Sequence, residues 1–360
     1  MTEAPEDVAK PRRSLSGGSR LWLVFTALMM ALAAVTALYP GGAAMVAGPA
    51  AQGFDLQGHR GARGLMPENS LPGFDKALAL GVTTLELDAV MTADDVVVVH
   101  HDRRLAPERT RDASGGWIAE AAPPAIRDLT AARLATYDIG RARPGSRLAA
   151  SFPQQTAHDG LAIPTLAAVL ARAEALSGGT VRYSIETKIA PGAPAESAAA
   201  DAFAAAVVAA IHAAGVEDRA AVQSFDWRTL QAVQRTAPAI DTVYLTAEQP
   251  WLDTPQRGQS APSPWLGGVP VDWAATTLPQ AIDRAGGAVW SPYYRDLTEA
   301  DLRQAQALGL RVVVWTVNDP ADMASLIDLG VDGLVTDYPD RARAVMAQKG
   351  LPLPTAYPAE

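Results

Sequence analysis

The sequence predicts an α/β protein of the TIM-type (β/α)8 barrel class with insertions, preceded by an N-terminal signal or anchor helix. Three observations carry that expectation. From Gly53 onward, short apolar runs of strand length alternate with longer amphipathic stretches, the pattern of repeated βα units around a parallel sheet. The chain has 360 residues, long for an ordinary domain but suited to one barrel with insertions. Apolar residues make up 49% and charged residues 19%, enough for a large core and too few charges for general disorder.

The N-terminal region is distinct from the rest. Lys10, Arg12, Arg13 and Arg20 lie in a basic stretch (1–20) that precedes an uncharged apolar run over 21–38. A linker (39–52) begins with Tyr39-Pro40-Gly41-Gly42 and continues in small residues. Basic flank, apolar segment and small residues are the layout of an export signal. The apolar part is about long enough to span a bilayer, so an uncleaved anchor with its basic end in the cytoplasm is the alternative. Either way the barrel, assigned to 53–347, is expected outside the cytoplasm: periplasmic, extracellular or membrane-anchored. Residues 348–360 are assigned as the C-terminal tail, of which 352–360 reads as loose.

Within the barrel, strands are expected at 54–59, 83–90, 96–100, 181–188, 221–225, 242–245, 288–291, 312–317 and 333–336. That is one too many for eightfold closure. The surplus is 96–100, because Thr92-Ala93-Asp94-Asp95 is too short for a crossover helix and forces a hairpin return. Helices are expected at 72–80, 165–175, 195–214 and 299–308, with Gly81, Gly215 and Gly309 at their C-caps. Two segments are irregular. One, 111–163, contains a helical-looking 129–137. The other, 246–271, holds Trp251 and Trp265 and leaves the C-terminal end of a strand, where it reads as a substrate lid or a plain surface insertion.

The formal charge of -9 argues against a nucleic-acid-binding surface. The absence of cysteine excludes disulfides, thiol catalysis and thiolate zinc sites.

Chemistry concentrates at strand ends. Glu86-Leu87-Asp88 sits in an apolar strand, so both carboxylates point to one face while Leu85 and Leu87 point to the other. Inward-facing carboxylates repel each other and lose solvation, for which a bound cation is the remedy; a strand end with its acids in water is the plainer reading. Glu186 and Lys188 share a face of another strand, where they either neutralise each other or join the first pair in an all-oxygen site for a hard cation. His59-Arg60-Gly61 ends the first strand and His101-Asp102 ends the hairpin strand. Two imidazoles flanking three carboxylates would serve a phosphodiester cleavage, which needs one group to take a proton and another to give one. His100 should face away from His101, His158 lies in an insertion, and His212 ends an Ala-rich helix.

With these residues in view, the sequence resembles the glycerophosphodiester phosphodiesterase family. The resemblance rests on the run His59 to Ser70, Glu86-Leu87-Asp88, Val99-His100-His101-Asp102 and Ile185-Glu186-Thr187-Lys188. It continues through Gln223-Ser224-Phe225-Asp226, Val314-Trp315-Thr316-Val317-Asn318 and Val335-Thr336-Asp337-Tyr338-Pro339, in order over 53–345. It implies that Glu86, Asp88 and Glu186 ligate a divalent cation, Mg or Ca. It implies also that His59 and His101 are the general acid/base pair, that Arg60 and Lys188 bind phosphate, and that Trp315 lines the alcohol pocket. The implied reaction is metal-dependent hydrolysis of a small-molecule glycerophosphodiester to glycerol 3-phosphate and an alcohol. Ser70 stands where the family commonly has Thr, and 111–163 is longer than in compact members. The alternatives are a phospholipase or lysophospholipase of D or C type, and an exported, non-catalytic phospholipid- or polymer-binding barrel. Membrane contact is expected through the N-terminal helix if it is uncleaved; the sequence does not set the oligomeric state.

Overall fold

The structure, a computed structural model, describes residues 53–358. The basic region 1–20, the apolar segment 21–38 and the linker 39–52 lie outside the described residues. In chain order the first strands are β1 (Asp55–Gly58), β2 (Thr84–Met91), β3 (Val97–Val99), β4 (Arg182–Thr187), β5 (Ala220–Ser224) and β6 (Asp241–Thr246). They are followed by β7 (Glu248–Gln249), β8 (Leu252–Asp253), β9 (Val289–Pro292), β10 (Arg311–Val314) and β11 (Gly333–Thr336). All but β3, β7 and β8 are parallel neighbours, and β1 pairs with both β2 and β11, which closes an eight-stranded barrel. The expected hairpin is present: β3 returns antiparallel on β2, with Val99 opposite Ala89. The short β7–β8 hairpin, not expected from the sequence, lies within the 246–271 insertion.

The helices are α1 (Leu71–Leu80), α2 (Ala131–Leu134), α3 (Arg147–Ser151), α4 (Leu166–Ser177) and α5 (Ala200–Ala214). After them come α6 (Trp227–Thr236), α7 (Leu278–Arg284), α8 (Glu299–Ala307), α9 (Pro320–Leu329) and α10 (Pro339–Gln348). Local chemistry starts and stops them. Ser70, Thr165 and Asp226 cap α1, α4 and α6 with side-chain oxygens, and Thr277 with Gln280 forms a capping box on α7. Gly81 and Gly215 end α1 and α5 at φ 91° and 66°, where a side chain would be strained. Leu85 and Leu87 belong to the same buried core cluster as Phe74, Leu78, Leu166 and Leu170 of the helices, while Val243, Val289, Val313 and Val335 form a separate cluster inside the barrel. The alternation along β2 thus sends leucines to the helix layer and carboxylates inward.

Three expectations differ from the structure. The helix expected at 195–214 begins only at Ala200, because Glu196 is drawn to the barrel rim by Arg103 and Arg104, and Pro194–Glu196 forms a separate 3-10 turn. The helical reading of 129–137 shrinks to α2, since Asp138 pairs with Arg111 and pulls the chain into an extended bridge. The tail is not loose through 358: Arg343 donates to Pro354 O (2.6 Å), and Tyr357 N donates to Leu78 O (2.8 Å). The stretch Pro194–Ala214 is apolar and long enough for a membrane span, but Phe203, Val207 and Ile211 are buried in the barrel's helix layer.

The long first insertion has a core of its own. Leu105, Ile126, Leu134, Tyr137, Ile139 and Ile163 cluster on Val90 and Val98 of the β2–β3 hairpin. It therefore braces the strand that delivers His101.

Candidate active site

Strand register assembles the site at the C-terminal end of the barrel, where loops of this fold carry chemistry. In the β2–β4 pair Asp88 lies opposite Glu186, and Glu86 lies two residues earlier on the same inward face. One oxygen from each of Glu86, Asp88 and Glu186 falls within 4.8 Å of the others, and all three residues are buried. Gly58 of β1 lies opposite Thr336 of β11, which sets the next residues, His59 and Asp337, side by side. The β2–β3 hairpin carries His101 back over the same rim.

Both imidazoles are oriented through Nδ1. His59 Nδ1 is 2.6 Å from Asp337 Oδ1, and Asn318 donates to the other oxygen of Asp337 at 2.6 Å. That leaves His59 Nε2 facing the carboxylates, 4.0 Å from Glu86 Oε2. His101 Nδ1 is 2.9 Å from Asp102 Oδ1, and Asp102 is held in turn by Arg109 at 2.6 Å. Burial lowers the pKa of His59, and Arg60 adds to this; the Asp337 carboxylate opposes both. His101 is pushed down to about 3, first by burial and then by Arg60 and Lys188.

The carboxylates are compensated only in part. Burial, then Asp88 and Glu186, push Glu86 well above the usual range, despite bonds from Arg60 N (2.9 Å) and Gln223 Nε2 (2.6 Å). Burial also raises Glu186 against the opposing pull of Lys188, whose ammonium is 2.7 Å away. Burial acts on Asp88 too, but Arg60 (3.2 Å) and Lys188 (3.6 Å) outweigh it and hold that carboxyl low. Asn69 donates to Asp88 Oδ2, yet buried Oδ1 has no hydrogen-bond partner. An orphaned carboxylate oxygen, two raised neighbours and an all-oxygen donor set fit a hard divalent cation. Arg60 is not a free cation: its guanidinium also donates to Glu68 Oε1 at 2.9 Å.

All eight residues singled out from the sequence (His59, Arg60, Glu86, Asp88, His101, Glu186, Lys188 and Trp315) meet in one cleft. An inner lobe of about 170 Å³ is lined by both histidines, Arg60, Glu86 and Lys188; an outer lobe of about 460 Å³ shares His101, Glu186, Lys188, Phe225 and Trp315 with it. Sequence reasoning assigned no role to Asp337, Asn318, Gln223, Arg109 or Glu68. Glu68, Gln223, Asn318 and Asp337 lie within the motifs that carry the resemblance, which was the available signal; Arg109 lies outside them. His100 faces away from the cleft as expected. Its Nδ1 is bonded to Asp102 O (2.8 Å) and its Nε2 is 3.5 Å from the Arg109 guanidinium. His158 is exposed, and His212 is paired with Glu217 at 2.6 Å.

Comparison with known proteins agrees with this geometry. The profile of the glycerophosphoryl diester phosphodiesterase family matches residues 59–341. A glycerophosphodiester phosphodiesterase of Bacillus subtilis is 29% identical over 78% of this chain and 83% of its own length. The crystal structure of a Silicibacter pomeroyi protein, described as a candidate glycerophosphoryl diester phosphodiesterase, is 36% identical and superposes with a TM-score of 0.72. It covers 83% of this chain and 94% of that one. An Oleispira antarctica phosphodiesterase bound to its product sn-glycerol 3-phosphate covers 81% of this chain and 96% of that one, with a TM-score of 0.59. At 20% identity it bears on the fold alone.

Two outcomes are expected. Glu86 has its pKa raised above the unfolded value of 4.5, so its cost is absent in acid and grows as pH rises past that value. At neutral pH without added metal, Glu86→Gln should therefore raise Tm, by roughly 2–4 °C per kcal/mol of relieved desolvation and repulsion. Mg or Ca should raise the Tm of the wild type and not of the variant; a metal response that survives the substitution would remove Glu86 from the ligand set. His100 is lowered from 6.5 to about 4 by burial and by Arg109. The unfolded chain thus takes up a proton that the folded one resists, and stability is lost as pH falls from 6.5 to about 4. Denaturant titrations across that window should show a smaller loss for His100→Gln; parallel curves would contradict this origin.

Proposed function

The chain belongs to the glycerophosphoryl diester phosphodiesterase family and is a hydrolase of glycerophosphodiesters, and from that premise we propose that His59 and His101 are its general acid–base pair. The observation that supports this reading is that each imidazole is tied by Nδ1 to a carboxylate, leaving Nε2 to the substrate. Such ties fix tautomer and ring orientation. One imidazole takes a proton from the attacking hydroxyl or water, and the other delivers one to the departing alkoxide. Asp337 and Asp102 stabilise whichever ring is transiently cationic.

Glu86, Asp88 and Glu186 would hold the divalent cation, Mg or Ca, which when bound supplies charge stabilisation to the phosphate oxygens. Lys188 and Arg60 contribute fixed positive charge at the same place, as phosphate-binding groups. Arg60 is clamped between Glu68 and Asp88, so it meets the phosphate without first being ordered. The inner lobe has room for a phosphate and one small polyol. We assign glycerol 3-phosphate, the product held by the Oleispira antarctica enzyme, as the product released here. Trp315 stands between the lobes, with its indole N–H bonded to Ser291 O (2.9 Å), and would meet the alcohol.

The barrel, in this reading, works outside the cytoplasm. Its support is the basic stretch with Lys10, Arg12, Arg13 and Arg20, followed by the apolar segment 21–38. Protease added to intact spheroplasts should degrade the barrel; full protection would place it inside.

The catalytic assignment is tested by release of glycerol 3-phosphate from a glycerophosphodiester. EDTA should abolish release, and Mg or Ca should restore it. His59→Ala and His101→Ala should each lower kcat by about 10²–10⁴ with KM little changed. Near-normal turnover in either variant would remove that histidine from the pair.

A further inference from the structure

We propose that the N-terminal mouth of the barrel, at the opposite end from the catalytic cleft, holds a non-catalytic site for a phosphate group, gripped by Arg182 and Arg311. Charges at this end of such a barrel ordinarily serve stability alone. Three features of the mouth point beyond that role.

The first is how its charges are placed. Asp55, Arg311, Asp241 and Arg182 begin β1, β10, β6 and β4, which are alternate strands around the barrel. All four line one small void at the barrel's lower end. Acid and base thus alternate around a ring, the layout of a plug closed by ion pairs, but the ring is not closed. Asp55 accepts from Thr84 Oγ1 (2.7 Å) and Gln57 Nε2 (2.8 Å), with Arg311 at 4.0 Å. Half-buried Arg182 makes no side-chain hydrogen bond or ion pair among the described residues. Its guanidinium therefore brings five N–H donors to the mouth with no protein acceptor for them.

The second is the layer directly above. Ser184 follows Arg182 by two positions on the inward face of β4, as Gln57 follows Asp55 on β1. Ser184 is 2% exposed and Gln57 6%, yet Ser184 Oγ and Gln57 Oε1 have no hydrogen-bond partner. The void they share with the charged ring measures about 20 Å³, room for one bridging water. One water can accept from Ser184 Oγ and donate both to Gln57 Oε1 and to an anion oxygen held at Arg182. An anion there completes three groups at once.

The third is the chamber outside. Arg182, Arg311 and Asp55 also line a pocket of about 360 Å³, whose walls include Phe54, Pro352, Leu353 and Pro354. The tail that supplies three of them is fixed, with Arg343 donating to Pro354 O (2.6 Å) and Tyr357 N to Leu78 O (2.8 Å). Two arginines here meet one acid, and that acid is already engaged, so the chamber favours an anion although the chain carries -9. A carboxylate has two oxygens and satisfies one guanidinium fork. A phosphate offers more, and can serve two arginines and the bridging water together. The same chemistry fits a free phosphate or a phospholipid headgroup, whose acyl chains would meet Phe54 and Leu353, the latter 45% exposed.

The test titrates inorganic phosphate, and separately monomeric dihexanoyl phosphatidic acid, into the full-length protein in EDTA. Affinity is read from the rise in Tm over each variant's own ligand-free value, so a change in fold stability does not enter. Phosphate should stabilise the wild type, and Arg182→Gln should weaken its affinity by about tenfold or more. Arg182→Lys, which keeps the charge and loses the fork, should weaken it less. Lys188→Gln removes a cation from the catalytic cleft and should retain a rise that vanishes when Arg182→Gln is added. Turnover of a glycerophosphodiester should be unchanged in Arg182→Gln. No rise with phosphate, or an equal rise in the wild type and Arg182→Gln, would overturn the site. Phosphatidic acid bound about tenfold more tightly than phosphate, with that advantage lost in Leu353→Asp, supports a lipid headgroup as the occupant. Equal affinities for the two, both dependent on Arg182, support the free anion.

Discussion

Glu86, Asp88 and Glu186 crowd their carboxylates within 4.8 Å of one another under cover of the barrel mouth, and their burial, with their mutual repulsion, sets the terms for what surrounds them. Two acids are driven toward their neutral forms and the third is held ionised by Arg60 and Lys188. Such a cluster is costly in a folded protein unless charge arrives from elsewhere. Part comes from the two basic side chains, part from bonds donated by Gln223, Asn69 and the backbone of Arg60. The remainder is a place for a divalent cation. Stability is given up where the chemistry needs unsatisfied negative charge.

The surrounding shell shows how that charge is kept in order. Glu68 accepts from Arg60 (2.9 Å) and Arg63 (2.5 Å), with Arg109 at 3.4 Å. Those three cations hold its carboxyl well below the usual range despite burial. Through Arg109 the same residue is linked to Asp102 and His101, and through Arg60 to Asp88. Proton carriers, phosphate-binding cations and metal ligands thus belong to one polar network, whose members are worth more together than pairwise deletions show. The first insertion steadies it from outside by packing on the hairpin that carries His101.

Division of labour within the cleft follows from what each lobe can satisfy. The inner lobe is rich in cations and titratable groups and suits the phosphate with its polyol arm. The outer lobe is walled by the rings of Trp251, Trp265, Trp315 and Phe225, with its acids paired to neighbouring cations. The β7–β8 hairpin places Trp251 at that wall, so the 246–271 insertion borders the cleft.

Much of this was legible in the residues. Short apolar runs alternating with longer amphipathic stretches pointed to all eight barrel strands, and the four-residue turn at 92–95 determined that β3 must return as a hairpin. Period two put Glu86 with Asp88 and sent Leu85 and Leu87 the other way. The resemblance in ordered motifs picked out the eight residues that meet in the cleft. Tertiary structure decided what local pattern cannot encode, namely which distant strands are neighbours and in what register. Asp337 reaches His59 only because β11 closes on β1, across 278 positions of chain, and Glu186 faces Asp88 only because β4 abuts β2 in that alignment. Helix 195–214 looked longer, and the tail looser, than they are because Glu196 and Tyr357 answer to partners far away in sequence. Side-chain period is a property of neighbours along the chain; charge compensation and barrel closure belong to residues that only folding brings together.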